Sequence, residues 1–232
     1  MNFSATQKLC AHWSLEQAMV ELKEAGFTHM NLTSSLTSSL LCVPRKQTRK
    51  LKEQLQLHGL EVDWVHAPFM VPALYHHREE VRACAIGALC SALSIARELD
   101  ARCMVVHPTN EFYPGDTSPQ QCHEQLHRSL TTLVECSQQQ GVMLTLENMI
   151  EAQVSEMTIA LIESIEGLGW CFDVGHAHLN GTTDVLLDRC GHKLQALHLH
   201  DNNGIDDEHL PPGQGTIAWN GLMQKIKATG YR

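Results

Sequence analysis

The chain has 232 residues, of which 43% are hydrophobic and 19% charged, with a formal net charge of -9 and a pI of about 5.9. This is enough length and apolar content for one domain with a large core, and the acidic balance gives no global electrostatic basis for binding nucleic acid. No apolar run reaches the roughly 18 residues that a membrane span needs, and the N-terminus lacks the basic start and apolar core of a signal peptide, so a cytoplasmic protein with no membrane partner is expected.

Strand and helix signals alternate along the whole chain. A first strand is expected within residues 1–6, then a helix over Leu15 to Ala25 ended by Gly26. A second strand covers His29 to Thr33, followed by a helix over Thr48 to His58 that stops at Gly59. Strand three ends at His66, before a loop containing Pro68 and Pro72. Glu79 to Leu99 carries apolar residues at helical spacing. Strand four ends at His107, a loop is expected over residues 110–119, and a helix over Gln120 to Gln139. Strand five ends at Glu147, with a short helix from Ser155 to Ile165. Strand six ends at Asp173, with a tight turn at Gly175 and a short helix from Thr183 to Arg189. Strand seven runs from Leu194 to His200. A polar loop from Asp201 to Gly215 precedes a last helix over Trp219 to Thr229.

Seven strands alternating with helices predict an α/β fold: a (β/α)8 TIM barrel without its eighth strand, one domain over residues 1–232, C-terminally incomplete. An open barrel leaves two unpaired edges, so completion by another segment is expected. Nine cysteines form an odd set with no CxxC pair, and Cys103 and Cys171 lie inside apolar strands. They read as reduced, mostly buried thiols. Five cations, Arg45, Lys46, Arg49, Lys50 and Lys52, read first as the solvated face of a helix and second as a phosphate-contacting patch.

Five apolar segments end in a residue that can bind a metal: His66, His107, Glu147, Asp173 and His198. They lie about 25 to 40 residues apart, the length of a strand-plus-helix unit. Polar residues at the ends of buried parallel strands gather on one rim, which suggests a metal-centred site at the C-terminal face of a barrel. A carboxylate ending an apolar strand is costly to bury unless paired or metal-bound, and Glu147 is such a residue. His176 follows Asp173 by three positions. His198 and His200, two apart, can both face inward. Asp207 and His209 form a further Asp-x-His pair in the last long loop. Carboxylate oxygens and imidazole nitrogens together suit a divalent ion such as Zn²⁺ or Mn²⁺, with Mg²⁺ or Co²⁺ also compatible, better than Ca²⁺.

The segments VHAPF, VVHPT, LENM, CFDVGHAHLNG and HLHDNNGIDDEHLPPGQGTIAW resemble those of the xylose isomerase-like TIM-barrel superfamily, which includes sugar isomerases and epimerases and the endonuclease IV branch. The resemblance implies an isomerase or epimerase of a sugar, sugar phosphate or polyol, acting through an enediolate, with a single ion held by Glu147, Asp173 and His198. The fourth ligand of that pattern follows strand eight and has no counterpart here. Glu147 would also exchange a proton with the substrate carbon. His66, His107, His176 and His200 would contact substrate, and Phe69 is a candidate sugar-stacking wall. In the endonuclease pattern, which acts on abasic DNA with three zinc ions, the further ligands would fall on His66, His107, His176, Asp207 and His209. His198 matches the ligand position and His200 a substrate contact, with the reverse assignment open. A barrel retaining a metal site without activity is the third reading. By analogy with the superfamily, a homo-oligomer is expected.

Overall fold

A computed structural model describes residues 3–10, 12–69, 71–108 and 118–231. Its strands are β1 (Ser4–Thr6), β2 (His29–Asn31), β3 (Trp64–His66), β4 (Cys103–Val106), β5 (Met143–Glu147), β6 (Gly169–Asp173) and β7 (Leu194–His198). All neighbouring pairs are parallel and follow chain order. Single bridges from His29 to Glu61 and from Leu32 to Val65 join the β1–β2 pair to the rest. The sheet curls. Arg102, just ahead of β4, donates through Nη2 to the Gln195 carbonyl on β7 at 2.7 Å, and its Nε lies 3.1 Å from Asp63 ahead of β3. Strands well separated in sheet order therefore meet at the barrel floor. Among the described residues no strand joins β7 to β1, as expected of a barrel without its closing strand.

The helices are α1 (Leu15–Glu24), α2 (Ser34–Leu41), α3 (Lys46–Leu57), α4 (Glu79–Glu98), α5 (Pro119–Gln140), α6 (Ala152–Ser164), α7 (Val174–Leu179), α8 (Thr183–Cys190) and α9 (Trp219–Ala228). Local chemistry sets their ends. Ser118 forms a capping box with Gln121, Pro119 opens α5, and Gly141 closes it in the left-handed conformation at φ 69°. On α4, Ala85, Leu89, Ala92, Leu93 and Ala96 are buried at helical spacing, forming the face laid on the sheet.

Strand parity sorts the side chains. Val65, Met104, Leu144, Leu146, Trp170 and Phe172 join the main core between sheet and helices, whereas Trp64, Cys103, Val105, Cys171 and Ala196 form a separate cluster inside the barrel. The same alternation turns His66, Glu147, Asp173 and His198 inward. Asn31 latches the start of the barrel. Its Nδ2 donates to Ser4 Oγ on β1 at 2.6 Å, and its Oδ1 accepts from the backbone N–H groups of Asp63 and Trp64 at 3.0 and 3.1 Å.

Several expectations need correction. Residues 34–41, rich in serine and given no element in the sequence reading, form α2: Thr33 caps it, and the hydroxyls of Thr37, Ser38 and Ser39 fold back onto carbonyls one turn earlier. Residues 174–179 form α7 instead of a tight turn, because Asp173 caps the His176 N–H at 2.8 Å. Strand β7 ends at His198, and His200 lies beyond it. The cationic stretch lies on the exposed side of α3, in line with its first reading as a solvated helix face; Arg45 and Arg49 pair with Glu98 at 3.7 and 3.0 Å, and Lys52 with Asp100 at 2.6 Å. Residues 1, 2 and 110–117 of the expected first strand and loop lie outside the described residues, and Pro119 belongs to α5.

Replacing Asn31 with leucine would strand one buried and one partly buried backbone donor, those of Trp64 and Asp63. We expect a loss of about 2–4 kcal/mol in urea unfolding, against less than about 1 kcal/mol for a solvent-facing control such as Leu57→Ala.

Candidate metal centre

Glu147 ends β5 inside the barrel, 2% exposed, and its two oxygens are shared among histidines from other strands. His107 Nε2 lies 3.1 Å from Oε2, His66 Nε2 3.3 Å from the same oxygen, and His198 Nδ1 3.0 Å from Oε1. Asp173, equally buried, takes the next position around the axis: His198 Nδ1 is 3.5 Å from its Oδ2, and His200 Nε2 donates to both its oxygens at 3.0 and 3.1 Å. His176, from the first turn of α7, stands between the two carboxylates, its Nδ1 3.6 Å from Asp173 and 3.8 Å from Glu147. Asp207 and His209 reach back from the last loop. Asp207 lies 3.6 Å from His176 Nε2 and 3.7 Å from His200 Nδ1, and His209 stacks on His200 with ring centroids 4.0 Å apart. The structure thus brings together every site residue expected from the sequence. Phe69 completes one wall, its ring centroid 4.7 Å from those of both His66 and His107.

The electrostatics follow from crowding two carboxylates in a dry site. Burial would raise the Glu147 carboxyl, but His198 and His107 outweigh it and hold it well below the usual range. Burial likewise opposes ionisation of Asp173, and His176, His198 and His200 reverse this. The histidines respond in kind. Against burial, which lowers all three, Asp173, Asp207 and Glu147 raise His176 to about 9, Cys171 ahead of Glu147 and Asp173 raises His198, and Asp173 and Asp207 raise His200. Without a cation, protons on these rings balance the carboxylates.

His66 tests whether the residues fit a cation. Burial lowers it and keeps the ring neutral. Its Nδ1–H donates to the Ala67 carbonyl at 2.9 Å, so the Nε2 lone pair faces Glu147 Oε2. Two acceptors 3.3 Å apart repel each other unless a positive charge lies between them. His176 is likewise fixed by a carbonyl, its Nδ1–H donating to Asn148 at 2.8 Å, but its Nε2 faces the Asp207 carboxylate at 3.6 Å, which helps to raise the ring. A ring fixed by a carbonyl on one nitrogen and open on the other is the arrangement of metal-ligating histidines. Four overlapping trios have ligand atoms within 4.8 Å of one another: His66–His107–Glu147, Glu147–Cys171–His198, Asp173–His176–His200 and His200–Asp207–His209. His198 lies against both Glu147 and Asp173, whereas His200 lies against Asp173 and Asp207. This donor set suits a divalent cation.

Supporting residues were not all visible from the sequence. Asn148 ties β5 to β6: its Oδ1 accepts from Trp170 Nε1 and the Asp173 N–H, and its Nδ2 donates to the Asp173 carbonyl. A polar residue directly after Glu147 was the available signal. Asp201 organises the last loop. Burial raises its carboxyl, but Trp219 Nε1 and the N–H groups of Ile217, Gly215 and Gly213 overcome that and hold it well below the usual range. Gly175 serves close packing and not a turn: a Cβ there would lie 2.0 Å from His200 Cε1.

Gly175→Ala should displace His200 from Asp173 and weaken binding of a divalent cation about 10- to 100-fold by calorimetry, with little change in secondary structure. Asp201→Asn should lower stability by about 1–3 kcal/mol. Because the folded carboxyl is depressed, its contribution is complete above the unfolded value near 4 and fades as pH falls below it. The gap between wild type and variant in urea unfolding should therefore be constant from about pH 5 to 8 and shrink below about pH 4.

Residues 19–232 match the family model of the xylose isomerase-like TIM barrel. An uncharacterized protein of Methanocaldococcus jannaschii, MJ1311, is 28% identical over all of this chain and 81% of its own length. Among solved structures, a D-tagatose 3-epimerase-like protein is 26% identical and superposes with a TM-score of 0.84 over 100% of this chain and 88% of its own. The IOLI protein, crystallised with a zinc atom, is 19% identical with a TM-score of 0.82, covering 100% of this chain and 86% of its own, and shares the fold. With the inward-facing strand ends and the curled parallel sheet, the family match over nearly the full length shows that this chain belongs to the xylose isomerase-like TIM barrel family.

Proposed function

We propose that the protein is a metal-dependent isomerase or epimerase of a carbohydrate or related polyol. One observation carries the reading: the buried Glu147 carboxylate is ringed by His66, His107 and His198 at 3.0–3.3 Å, with Asp173 beside it. Glu147, Asp173 and His198 would hold a divalent cation, Zn²⁺ or Mn²⁺ by donor chemistry. Such an ion polarises a carbonyl and offsets the charge that develops on its oxygen. Glu147 then has a second task, taking the proton from the adjacent substrate carbon and returning it to form the isomer or epimer. His66, His107, His176 and His200 border the same space and would bind substrate hydroxyls. Phe69, 45% exposed, offers an apolar face against which a sugar ring can lie. The similarity to a D-tagatose 3-epimerase-like protein supports this chemistry.

The rim argues for an uncharged substrate. Residues 147–188 and 194–224, which carry the loops after β5, β6 and β7, contain no lysine or arginine. A phosphate clamp ordinarily needs such groups. A phosphodiesterase of the endonuclease IV type is the second reading, favoured by the outer His176, His200, Asp207 and His209 cluster, which offers donors for further ions. The same cation-poor loops weigh against a DNA backbone.

Metal content per chain and solvent-deuterium exchange into a ketose test the proposal together. One ion per chain, C–H exchange in the wild type, and loss of exchange by at least about 100-fold in Glu147→Gln are expected. Two or three ions with chelator-sensitive cleavage of abasic DNA and no exchange would replace it with the hydrolytic reading.

A further inference from the structure

Two buried polar atoms in the segment after β7 face each other with nothing to bind. His200 is 7% exposed, and its Nε2 is committed to Asp173. Its other nitrogen, Nδ1, points at Asp207 Oδ1 across 3.7 Å, too far for a hydrogen bond. Among the described residues neither atom has a hydrogen-bond partner, and both are shut off from solvent. The second Asp207 oxygen is better served, with His209 Nδ1 at 3.2 Å and His176 Nε2 at 3.6 Å. The loop holds the acceptor in this position. Leu210 exchanges two backbone hydrogen bonds with Asp201, at 2.7 and 2.8 Å, and Glu208 accepts from the Asn203 N–H at 2.8 Å. The His209 ring lies flat on His200 and is itself 55% exposed, so the pair sits one ring's thickness below solvent. A buried acceptor without a donor costs stability, and it marks a place where a ligand can supply one.

We propose that Asp207 and His200 Nδ1 read a substrate hydroxyl on the solvent side of the metal centre, which makes Asp207 a specificity residue; this rests on the isomerase or epimerase reading above. An oxygen about 2.8 Å from each atom spans the gap between them. A hydroxyl there donates its proton to Oδ1 and accepts from a ring N–H, two roles that one hydroxyl fills at once. A phosphate oxygen would be repelled by the carboxylate, and an apolar substituent would leave both atoms unpaired. The ligand class is therefore a neutral polyol carrying a hydroxyl outward of the reacting carbons.

Solvent-deuterium exchange is measured on the Mn²⁺-loaded wild type, D207A, D207S and D206A. The probes are D-fructose, D-tagatose and their 4-, 5- and 6-deoxy analogues, with bound metal counted on each sample. D206A alters an exposed side chain of the same loop and should match the wild type. D207A should raise KM about 10- to 100-fold and change kcat less than about 3-fold. One deoxy analogue should show the same loss in the wild type and no further loss in D207A, because residue and hydroxyl form one contact. Losses that multiply for every analogue overturn the proposal and leave the isomerase reading standing. An ion lost from D207A also overturns it, since Asp207 would then be a metal ligand. No exchange into either ketose by the wild type overturns both. If D207A does not fold, D207S carries the same comparison, because its hydroxyl stays polar but is too short to reach the substrate.

Discussion

The rest of the structure is arranged around the cost of keeping the Glu147 carboxylate charged and out of water. An isolated buried carboxylate would protonate. Here it stays ionised because His198 on β7 and His107 just past β4 direct ring nitrogens at it, and because His176 bridges it to Asp173. None of these partners is near Glu147 in sequence. Each reaches it only because the parallel sheet curls and presents its C-terminal ends to one axis. The floor beneath, where Arg102 links β4 to β7 and pairs with Asp63, holds that curl.

Rigidity comes from residues that hold the site without belonging to it. Asn148 fixes the spacing of the two acidic strand ends through three hydrogen bonds. Carbonyls of Ala67 and Asn148 orient His66 and His176 and commit one nitrogen of each ring. Asp201 gathers the N–H groups of the last loop and folds Asp207 and His209 back over the barrel mouth. Preorganisation of this kind lowers the reorganisation needed when a cation and substrate bind.

The centre is graded by depth. Apolar side chains and two thiols fill the lower layer, the two carboxylates with their inner histidines come next, and the half-exposed Asp207–His209 pair lies nearest to solvent. Field strength falls along the same direction, since solvent screens the outer charges and not the inner ones. That grading favours a cation seated deep, with the outer pair free to meet substrate or a further ion.

Much of the barrel is legible in the sequence because its rules are local. Apolar runs of strand length ending in His, Glu or Asp, helical spacing on α4, and glycine at a helix end each reflect the chemistry of a few adjacent residues. The period of two was enough to infer that Glu147 and Asp173 point inward, and that His198 and His200 lie on one side. The serine-rich α2 was not legible, because those hydroxyls satisfy helix carbonyls as readily as they end helices. Nor was the role of Gly175, whose reason is the His200 ring packed against its backbone, 25 residues further along the chain. Which donors the site contains, and which strand ends carry them, can be read from short runs of adjacent residues. Which donor faces which follows from the folded sheet, because those distances depend on how far it curls, and that is set by packing between residues distant in the chain.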